Sequence, residues 1–298
     1  LVAKGKSMVS EETGLNRALE EVGITAQETD LAEFVLQLQG SVPSHIVVPI
    51  VHMTRQDVSR LFHEKLGSDE TEDVLRLARI ARETLRRKYV EAGMGFTGAN
   101  FGVAETGTIV TVTNEGNGRL SSSLPRYHVV LMGIERLVPT LEDLGLMLQL
   151  LARSATGQKL SVYSNMITGP RRSGDDDGPE ELHIVLIDNG RTRILESEYA
   201  EILTCIRCGA CLNACPVYKL IGGHAYDSVY PGPMGSVLSP LFGGFHRYGD
   251  LPHASSLCGA CKEVCPVRID LPGLLLKLRR DTVHEGHRPW WLKLGISG

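Results

Sequence analysis

The sequence CIRCGACLNACP at residues 205–216 decides the fold class of the C-terminal part of this 298-residue chain. Its four cysteines and final proline follow the pattern C-x2-C-x2-C-x3-C-P, which is the bacterial run that binds iron-sulfur clusters. Structural zinc sites more often use two separated pairs of cysteine or histidine ligands. The run therefore predicts iron-sulfur ligation by the thiolates of Cys205, Cys208, Cys211 and Cys215.

A second run, SSLCGACKEVCP at residues 255–266, repeats this pattern with one cysteine missing. When the two runs are aligned on their prolines, Ser255 stands at the position of Cys205. In two-cluster ferredoxins the last cysteine of a run binds the cluster of the other run. We therefore expect two clusters, with the ligands Cys205, Cys208, Cys211 and Cys265 for a first, 4Fe-4S cluster and Cys215, Cys258 and Cys261 for a second cluster.

The composition of the second cluster stays open at this point. It is either a 4Fe-4S cluster with a fourth ligand other than cysteine, such as the Ser255 hydroxyl or water, or a 3Fe-4S cluster. In the interpretation that we favour, Ser255 or Ser256 only caps the helix that carries the cysteines. Two clusters in one small module are expected to relay electrons. The segment YPGPMGSVLSPLF at 230–242 is expected to surround them and to donate backbone N–H groups to their sulfur atoms.

The first 204 residues contain none of the seven cysteines and have a different pattern. Short β-branched apolar runs alternate there with helical segments, which predicts βαβ units and a mainly parallel sheet with flanking helices. The runs assigned to strands are 1–3, 24–29, 45–49, 108–113, 128–133, 160–167 and 182–188. A domain boundary near residue 195 gives an α/β domain at 1–195 and a mostly helical domain at 196–298.

Charge and hydropathy exclude two classes of protein. The formal net charge of -4 argues against binding to a phosphate backbone as the main role. The longest apolar stretches, 46–51 and 144–151, are far shorter than the roughly 20 residues of a membrane span. The opening LVAKGKSM lacks the features of a secretory signal. We therefore expect a cytoplasmic protein that neither crosses a membrane nor binds nucleic acid.

The segment GANFGVAETGTIVTVTNEGNGR at 98–119 is the candidate small-molecule site of the first domain. Glycines next to strand ends let a backbone approach a ligand closely. The alternative is a pair of structural turns around a β-hairpin. The polar and glycine positions that we single out are Glu105, Thr106, Gly107, Thr108 and Asn114. Lys4 and Lys6, near a predicted strand end, are candidates to bind an anionic group, although we favour the interpretation that they are solvated.

Further stretches, taken with both cysteine runs, carry a resemblance to a known family: KGKSMVSEE at 4–12, ETDLAEFVLQL at 28–38, PSHIVVPIVH at 43–52 and the segment 98–119. With these stretches, the chain resembles the lactate-utilisation iron-sulfur protein B (LutB) family over essentially its whole length. The resemblance implies a LUD domain, related to the ribose-5-phosphate isomerase and CoA-transferase fold, followed by a helical two-cluster ferredoxin domain. It also implies that the first domain is truncated at its N-terminus.

The function that the resemblance implies is electron transfer in a multi-protein complex that oxidises L-lactate to pyruvate. The implied partners are a cysteine-rich subunit of the heterodisulfide-reductase type (LutA-like) and a subunit with only a LUD domain (LutC-like). The protein would be cytoplasmic, or associated with a membrane through these partners, and would be part of an oxidoreductase.

Two alternatives concern the LUD domain. In one, the domain itself binds and oxidises a small 2-hydroxy acid, with Glu105 as general base by fold analogy. In the other, it is an isomerase-like or transferase-like scaffold. One-electron clusters alone are poor oxidants of a 2-hydroxy acid, which favours the electron-transfer role.

Overall fold

The computed structural model describes residues 1–285, which form two compact units. The first unit contains residues 1–44 and 48–187, and the second contains residues 45–47 together with the described residues 188–285. The last part of the predicted second domain, 286–298, lies outside the described residues.

The first unit is built on a five-stranded sheet in the order β2-β1-β3-β6-β9, and all four pairings are parallel. Its strands are β1 (Val2–Lys4), β2 (Ala26–Glu28), β3 (Met94–Gly98), β6 (Tyr127–Gly133) and β9 (Glu181–Ile187). The predicted α/β class with a mainly parallel sheet is confirmed. Because parallel strands end at the same edge of a sheet, the segments that follow β1, β2 and β3 meet at one edge.

A second sheet has the order β7-β4-β5-β8 and contains mostly antiparallel pairings. Its strands are β4 (Phe101–Val103), β5 (Thr108–Thr113), β7 (Leu137–Val138) and β8 (Tyr163–Ile167). β4 and β5 pair antiparallel across the turn at 104–107, so the hairpin that we considered as an alternative for this segment is present.

Seven helices flank these sheets: α1 (Met8–Glu12), α2 (Leu15–Glu21), α3 (Leu31–Gln39), α4 (Arg55–Leu66), α5 (Val74–Glu91), α6 (Asn117–Ser123) and α7 (Leu141–Thr156). Thr54 and Thr140 each start a helix with a complete capping box, in which the hydroxyl accepts from the backbone N–H of an aspartate three residues later. Phe34, Phe62 and Leu85 from α3, α4 and α5 are buried with Ala3 of β1 in one apolar core.

The strand predicted at 45–49 is wrong, because these residues form consecutive turns. The Ser44 hydroxyl donates to the carbonyl of Pro49 at 3.1 Å, and the backbone N–H of Val47 donates to Nδ1 of His45 at 3.0 Å. These local side-chain bonds compete with strand pairing. The glycine-containing strand β3 was not predicted. Its Gly95 leaves no room for a side chain, because a Cβ there would lie 1.8 Å from the carbonyl oxygen of Ser121.

The second unit is helical apart from its turns, as predicted. It contains α8 (Arg191–Leu195), α9 (Ala210–Ala214), α10 (Pro216–Ile221), α11 (Gly232–Gly243), α12 (Phe245–Tyr248), α13 (Ala260–Glu263) and α14 (Leu271–His284). Short 3-10 helices lie at Ala200–Thr204, His224–Tyr226 and Leu251–His253. Within residues 1–285, no helix has the length and apolar character needed to span a bilayer.

The buried His128 on β6 makes the stability of the first unit depend on pH. Its side chain is 0% exposed and hydrogen-bonds Thr97 Oγ1 at 2.8 Å, and burial lowers its pKa to about 4. The unfolded chain therefore binds a proton that the folded chain excludes as the pH falls below about 6.5. We expect the free energy of unfolding to fall by about 3 kcal/mol between pH 6.5 and 4 from this group.

Hydrogen exchange of the β6 amides, corrected for intrinsic rates, measures this effect in the first unit. The matched variant is His128→Gln, which has no charge change in this pH range and keeps a polar group facing Thr97. The prediction concerns the difference between wild type and His128→Gln. Buried carboxyls with raised pKa, such as Glu33, increase the free energy of unfolding as the pH falls, which is opposite to the effect of His128 and is the same in both proteins. Equal pH dependence in both proteins would contradict it.

Candidate functional site

The two cysteine runs have the same backbone conformation at equivalent positions. Arg207 and Leu257, each directly before a cysteine, have positive φ angles of 59° and 54°. Gly209 and Gly259, each directly after that cysteine, have φ angles of 78° and 87° and precede the short helices α9 and α13. Left-handed φ angles are strained for arginine and leucine, so both runs have a constrained loop that turns successive cysteines toward one side.

The first group of thiols includes a residue from the second run. Burial raises the pKa of Cys208 to about 11; the Ala210 N–H lowers it, and the charges of Cys205 and Cys265 raise it further. Cys265 therefore lies near Cys208 although the two are far apart in sequence. This neighbourhood agrees with the crossed ligand set expected for the first cluster.

The second group of thiols combines Cys215 of the first run with Cys258 and Cys261 of the second run. Burial raises the pKa of Cys261 to about 11, and the charges of Cys215 and Cys258 act on it as well. Burial also raises the pKa of Cys211 well above its usual value, with further contributions from the charges of Cys205, Cys208 and Cys261. The two groups are thus neighbours through Cys211 and Cys261.

Backbone N–H groups point at the thiols, which is the donor set that a negatively charged cluster requires. Met234, in the first turn of α11, donates its N–H to Cys211, so the segment 230–242 supplies a donor as predicted. Tyr218 donates to Cys215 Sγ at 3.5 Å, and Ile269 donates to Cys265 Sγ at 3.4 Å.

The arrangement fits an iron-sulfur cluster better than a single ion. Within residues 1–285, no three His, Cys, Asp or Glu side chains converge closely enough to hold one metal ion. The thiolates around a cluster bind different iron atoms and need not converge on one point. Cysteines from separate runs, with N–H donors directed at their sulfur atoms, therefore suit the two-cluster interpretation.

Ser255 has a local role in the structure. Its hydroxyl accepts the backbone N–H of Leu257 at 3.2 Å, which shapes the turn before Cys258. The capping role that we favoured for Ser255 or Ser256 is wrong, because Gly259 precedes α13 and no side chain caps that helix. Sequence analysis missed the actual contact of Ser256, whose hydroxyl donates to Cys258 and, after the N–H of Ala260, lowers the pKa of that thiol.

Cys258 of the second group is the one exposed cysteine of the seven. Cys205 and Cys265 are half-buried, and the other four are buried: Cys208, Cys211, Cys215 and Cys261. Electron transfer between proteins needs a short distance from cluster to surface, so the side of Cys258 is the accessible end of this module.

In the first unit, Lys4 and Lys6 are both engaged by carboxylates. Lys4 is 1% exposed, and its Nζ lies 2.7 Å from Glu28 and 2.8 Å from Glu11, so its ammonium is internal. Lys6 is partly exposed and lies 3.2 Å from Glu33. Of the two lysines, Lys6 alone has an accessible side chain for an anionic ligand.

Glu105, Thr106 and Gly107 lie in the exposed turn between β4 and β5, and Gly107 has a φ of 68°. The Glu105 carboxylate accepts the N–H of Leu141 at 3.4 Å, where α7 begins. This is a favourable position for a carboxylate at the start of a helix. Glu105 therefore has a structural contact that explains its position without a catalytic role.

The hydroxyls of Thr106, Thr108 and Thr168 form a chain, with distances of 2.7 Å and 2.8 Å between successive oxygens. Thr168 lines an open cavity of about 530 Å³ whose wall also carries Arg119 and Arg171. Both arginines are paired with carboxylates of the polar loop at 169–180. The threonine chain thus ends at a cavity with cationic side chains.

Asn114, the remaining predicted binding residue, makes structural contacts. Its Nδ2 donates to Gln158 at 3.0 Å, and its Oδ1 accepts the N–H of Val162 at 3.1 Å. These bonds connect the end of β5 to the loop before β8.

A titratable cluster after β1, β2 and β5 was missed by sequence analysis. Burial raises the pKa of Glu33 to about 9, with contributions from a hydrogen bond and charge of Asp30, while Lys6 lowers it. Burial raises the pKa of Glu115 to about 7; Asp30 adds to this and the Leu31 N–H opposes it. Carboxyls with pKa near neutrality are suited to proton transfer. The signal available in sequence was the position of Glu115 directly after Asn114, at a strand end.

Comparison with known proteins gives a match to a family model described as LUD domain over residues 1–187. A second match, to a 4Fe-4S dicluster domain, covers residues 201–269, which include all seven cysteines. The chain therefore carries an iron-sulfur cluster domain after its LUD domain.

Three relatives align with nearly the whole chain. Lactate utilization protein B of Macrococcus caseolyticus is 53% identical over 96% of this chain and 60% of its own length. Lactate utilization protein B of Geobacillus thermodenitrificans is 52% identical over 99% of this chain and 63% of its own length. The uncharacterized electron transport protein YkgF of Escherichia coli is 50% identical over 96% of this chain and 60% of its own length.

The chain therefore spans less than two thirds of the length of these relatives. One solved structure, a DUF162 family protein from Deinococcus radiodurans, aligns with 62% of this chain and 86% of its own length at 13% identity and a TM-score of 0.28. The match of the LUD model to residues 1–187, which is more than half of the 298 residues, shows that the chain belongs to the LUD domain family.

Proposed function

We propose that this chain is an iron-sulfur electron-transfer subunit of a complex that oxidises L-lactate to pyruvate. The observation that carries the proposal is the crossed neighbourhood of the two cysteine runs, in which Cys265 lies near Cys208 and Cys215 near Cys261. Relatives that share about half of its residues are named for lactate utilization or electron transport. Clusters held close together in one unit are suited to relay electrons.

The proposed ligands are those expected from the spacing of the cysteines. The first cluster is of the 4Fe-4S type and is held by Cys205, Cys208, Cys211 and Cys265. The second is held by Cys215, Cys258 and Cys261 and is either 4Fe-4S or 3Fe-4S. Ser255 remains a candidate fourth ligand, although its hydroxyl accepts from Leu257 here.

The residues of the chain determine how such a relay works. The clusters, when bound, accept and donate single electrons. Buried Cys208 and Cys211 limit the access of water to the first group, while the N–H groups of Met234 and Ile269 stabilise negative charge on sulfur. The interaction of Cys211 with Cys261 supports electron transfer between the groups. Exposed Cys258 supports exchange with a partner at that end.

The proposed partners are a cysteine-rich subunit of the heterodisulfide-reductase type (LutA-like) and a subunit with a LUD domain alone (LutC-like). We place the complex in the cytoplasm, with membrane contact only through such partners. In this arrangement L-lactate is oxidised at a partner, and this chain receives the electrons.

A second candidate function places chemistry in the LUD domain itself, as a site that binds and oxidises a small 2-hydroxy acid. It is favoured by the cluster of Lys6, Asp30, Glu33 and Glu115, in which burial raises the pKa of Glu33 to about 9 and that of Glu115 to about 7. The binding residues proposed for such an acid are Lys6, Thr106, Gly107, Thr108 and Asn114, with Glu105 as base. Glu115, whose pKa is raised to about 7 and which interacts with Lys6, is an alternative base.

Electron paramagnetic resonance (EPR) of the purified chain with reconstituted clusters distinguishes the two candidates. We expect L-lactate alone to leave the clusters oxidised, and L-lactate with both partner subunits to reduce them. A variant with alanine at Cys205, Cys208 and Cys211 is the control, because it should accept fewer electrons. Reduction by L-lactate without partners would favour the second candidate. No reduction with both partners present would contradict the first.

The same EPR spectra decide the composition of the second cluster. An isotropic signal in the oxidised state indicates a 3Fe-4S cluster, and its absence indicates a 4Fe-4S cluster.

A further inference from the structure

We propose that the hydroxyl of Tyr226 is a hydrogen-bond donor to the sulfur atoms of the cluster bound through Cys215 and raises the reduction potential of that cluster. Tyr226 is a positioning and tuning residue in this proposal and does not ligate iron. The inference rests on the proposed function only in requiring that the clusters are bound; it does not depend on the identity of the substrate.

The first observation is an orphaned hydroxyl. Tyr226 is 2% exposed, and its Oη has no hydrogen-bond partner within the described part of the chain. Buried tyrosine hydroxyls normally find a partner, because an unpaired buried donor loses its bonds to water without replacement. A hydrogen-bond acceptor that is present only when the clusters are bound, such as a cluster sulfur atom, would satisfy this donor.

The second observation is where this hydroxyl lies. Apart from burial, the groups that raise its pKa are, in order, Cys215, Tyr218 and Cys211. Cys215 belongs to the second group of thiols and Cys211 to the first. Tyr226 therefore lies near thiols of both groups, with the stronger effect from Cys215.

The third observation is that the ring is held firmly. Tyr226 ends the 3-10 helix His224–Tyr226, and its ring packs at 6.1 Å, tilted by 38°, against the ring of Tyr218. Tyr218 in turn donates its backbone N–H to Cys215 Sγ. The orientation of the hydroxyl is thus tied to the same segment that positions Cys215.

The chemistry of a donor at this position is direct. Reduction adds negative charge to a cluster, and a hydrogen bond to sulfur stabilises the reduced form more than the oxidised form. The hydroxyl also carries its proton at neutral pH, because the ordinary pKa of a tyrosine hydroxyl is about 10. The sign of the effect is therefore a higher reduction potential with the hydroxyl than without it.

An EPR-monitored redox titration of the full chain with both clusters tests this inference. Tyr226→Phe removes the hydroxyl and keeps the ring, and we expect about a tenfold lower ratio of reduced to oxidised second cluster at a fixed potential, which is about 59 mV for one electron. The matched control is Tyr218→Phe, which removes a neighbouring tyrosine hydroxyl and keeps both the ring that packs on Tyr226 and the backbone N–H that donates to Cys215. The potential in this control is expected to stay unchanged.

The inference fails if Tyr226→Phe leaves the potential unchanged or if Tyr218→Phe lowers it equally. Should Tyr226→Phe not retain its clusters, 3-fluorotyrosine at position 226 replaces it, because its more acidic hydroxyl is a stronger donor. The potential of the second cluster must then rise, and a fall or no shift would overturn the inference. These outcomes are independent of lactate, so they separate this inference from the proposed function.

Discussion

Replacing Cys265 by alanine is expected to abolish the first cluster and to leave the second one in place, although Cys265 belongs to the second run of the sequence. The reason is the neighbourhood of Cys265 and Cys208, whose charges interact. A cluster that loses one of four thiolates in a buried site is left with an unsatisfied iron atom. Iron and acid-labile sulfide are therefore expected to fall to about half of their wild-type content.

The matched control is Cys215→Ala, which removes the equivalent cysteine of the first run. It is expected to abolish the second cluster, because Cys215 lies near Cys261. EPR spectra assign the surviving cluster in each variant. Cys265→Ala must have the same residual spectrum as Cys208→Ala, and Cys215→Ala the same as Cys261→Ala. If Cys265→Ala instead matches Cys261→Ala, each run holds its own cluster and the crossed assignment is incorrect.

The iron-sulfur module could be predicted from sequence because its geometry is mostly local. The spacing within CIRCGACLNACP fixes how three thiols leave one short loop, and the conformations of Arg207 and Leu257 confirm that both runs form the same loop. These conformations match the alignment at 207–209 and 257–259, while the role of Ser255 opposite Cys205 stays a prediction. The contact of Ser256 with Cys258 was missed, because it depends on a side-chain rotamer that spacing does not determine.

The first domain was predictable in class and less so in detail. Alternating apolar segments indicated the parallel sheet, but the segment 45–49 has the apolar composition of a strand and forms turns. There the side chains of Ser44 and His45 satisfy backbone groups locally. The apolar pattern of the sequence does not show whether such local side-chain bonds will replace strand pairing.

The cluster of Lys6, Asp30, Glu33 and Glu115 could not be predicted for a different reason. Glu115 contacts the N–H of Leu31 at 3.3 Å, although 84 residues separate them. The strand order of the first sheet brings the ends of β1 and β2 to one edge. Glu115 reaches this edge from the end of β5, which belongs to the other sheet. Lys4, by contrast, looked like a ligand-binding residue in sequence and forms an internal ion pair with Glu28.

Replacing Gly235 by alanine is expected to disrupt the first cluster through the backbone alone. A Cβ at this position would lie 1.6 Å from the carbonyl oxygen of Tyr230, a distance that no side-chain rearrangement relieves. Helix α11 or the segment before it must move, at a cost of about 3 kcal/mol, the upper end of the usual range for overpacking. Met234, the preceding residue, would then lose its N–H contact with Cys211.

Ser236→Ala is the control for this variant, because it changes the next residue of the same helix without adding an atom. The Ser236 side chain is 0% exposed, and its hydroxyl has no hydrogen-bond partner in the described chain, so its removal is expected to leave stability unchanged or slightly higher. Iron content and the thermal unfolding midpoint are measured for both variants. If Gly235→Ala keeps both clusters and the wild-type midpoint, the close approach of α11 to Tyr230 does not determine the position of the Met234 N–H. If both variants lose iron equally, the effect comes from any change in α11 and the steric argument for Gly235 is wrong.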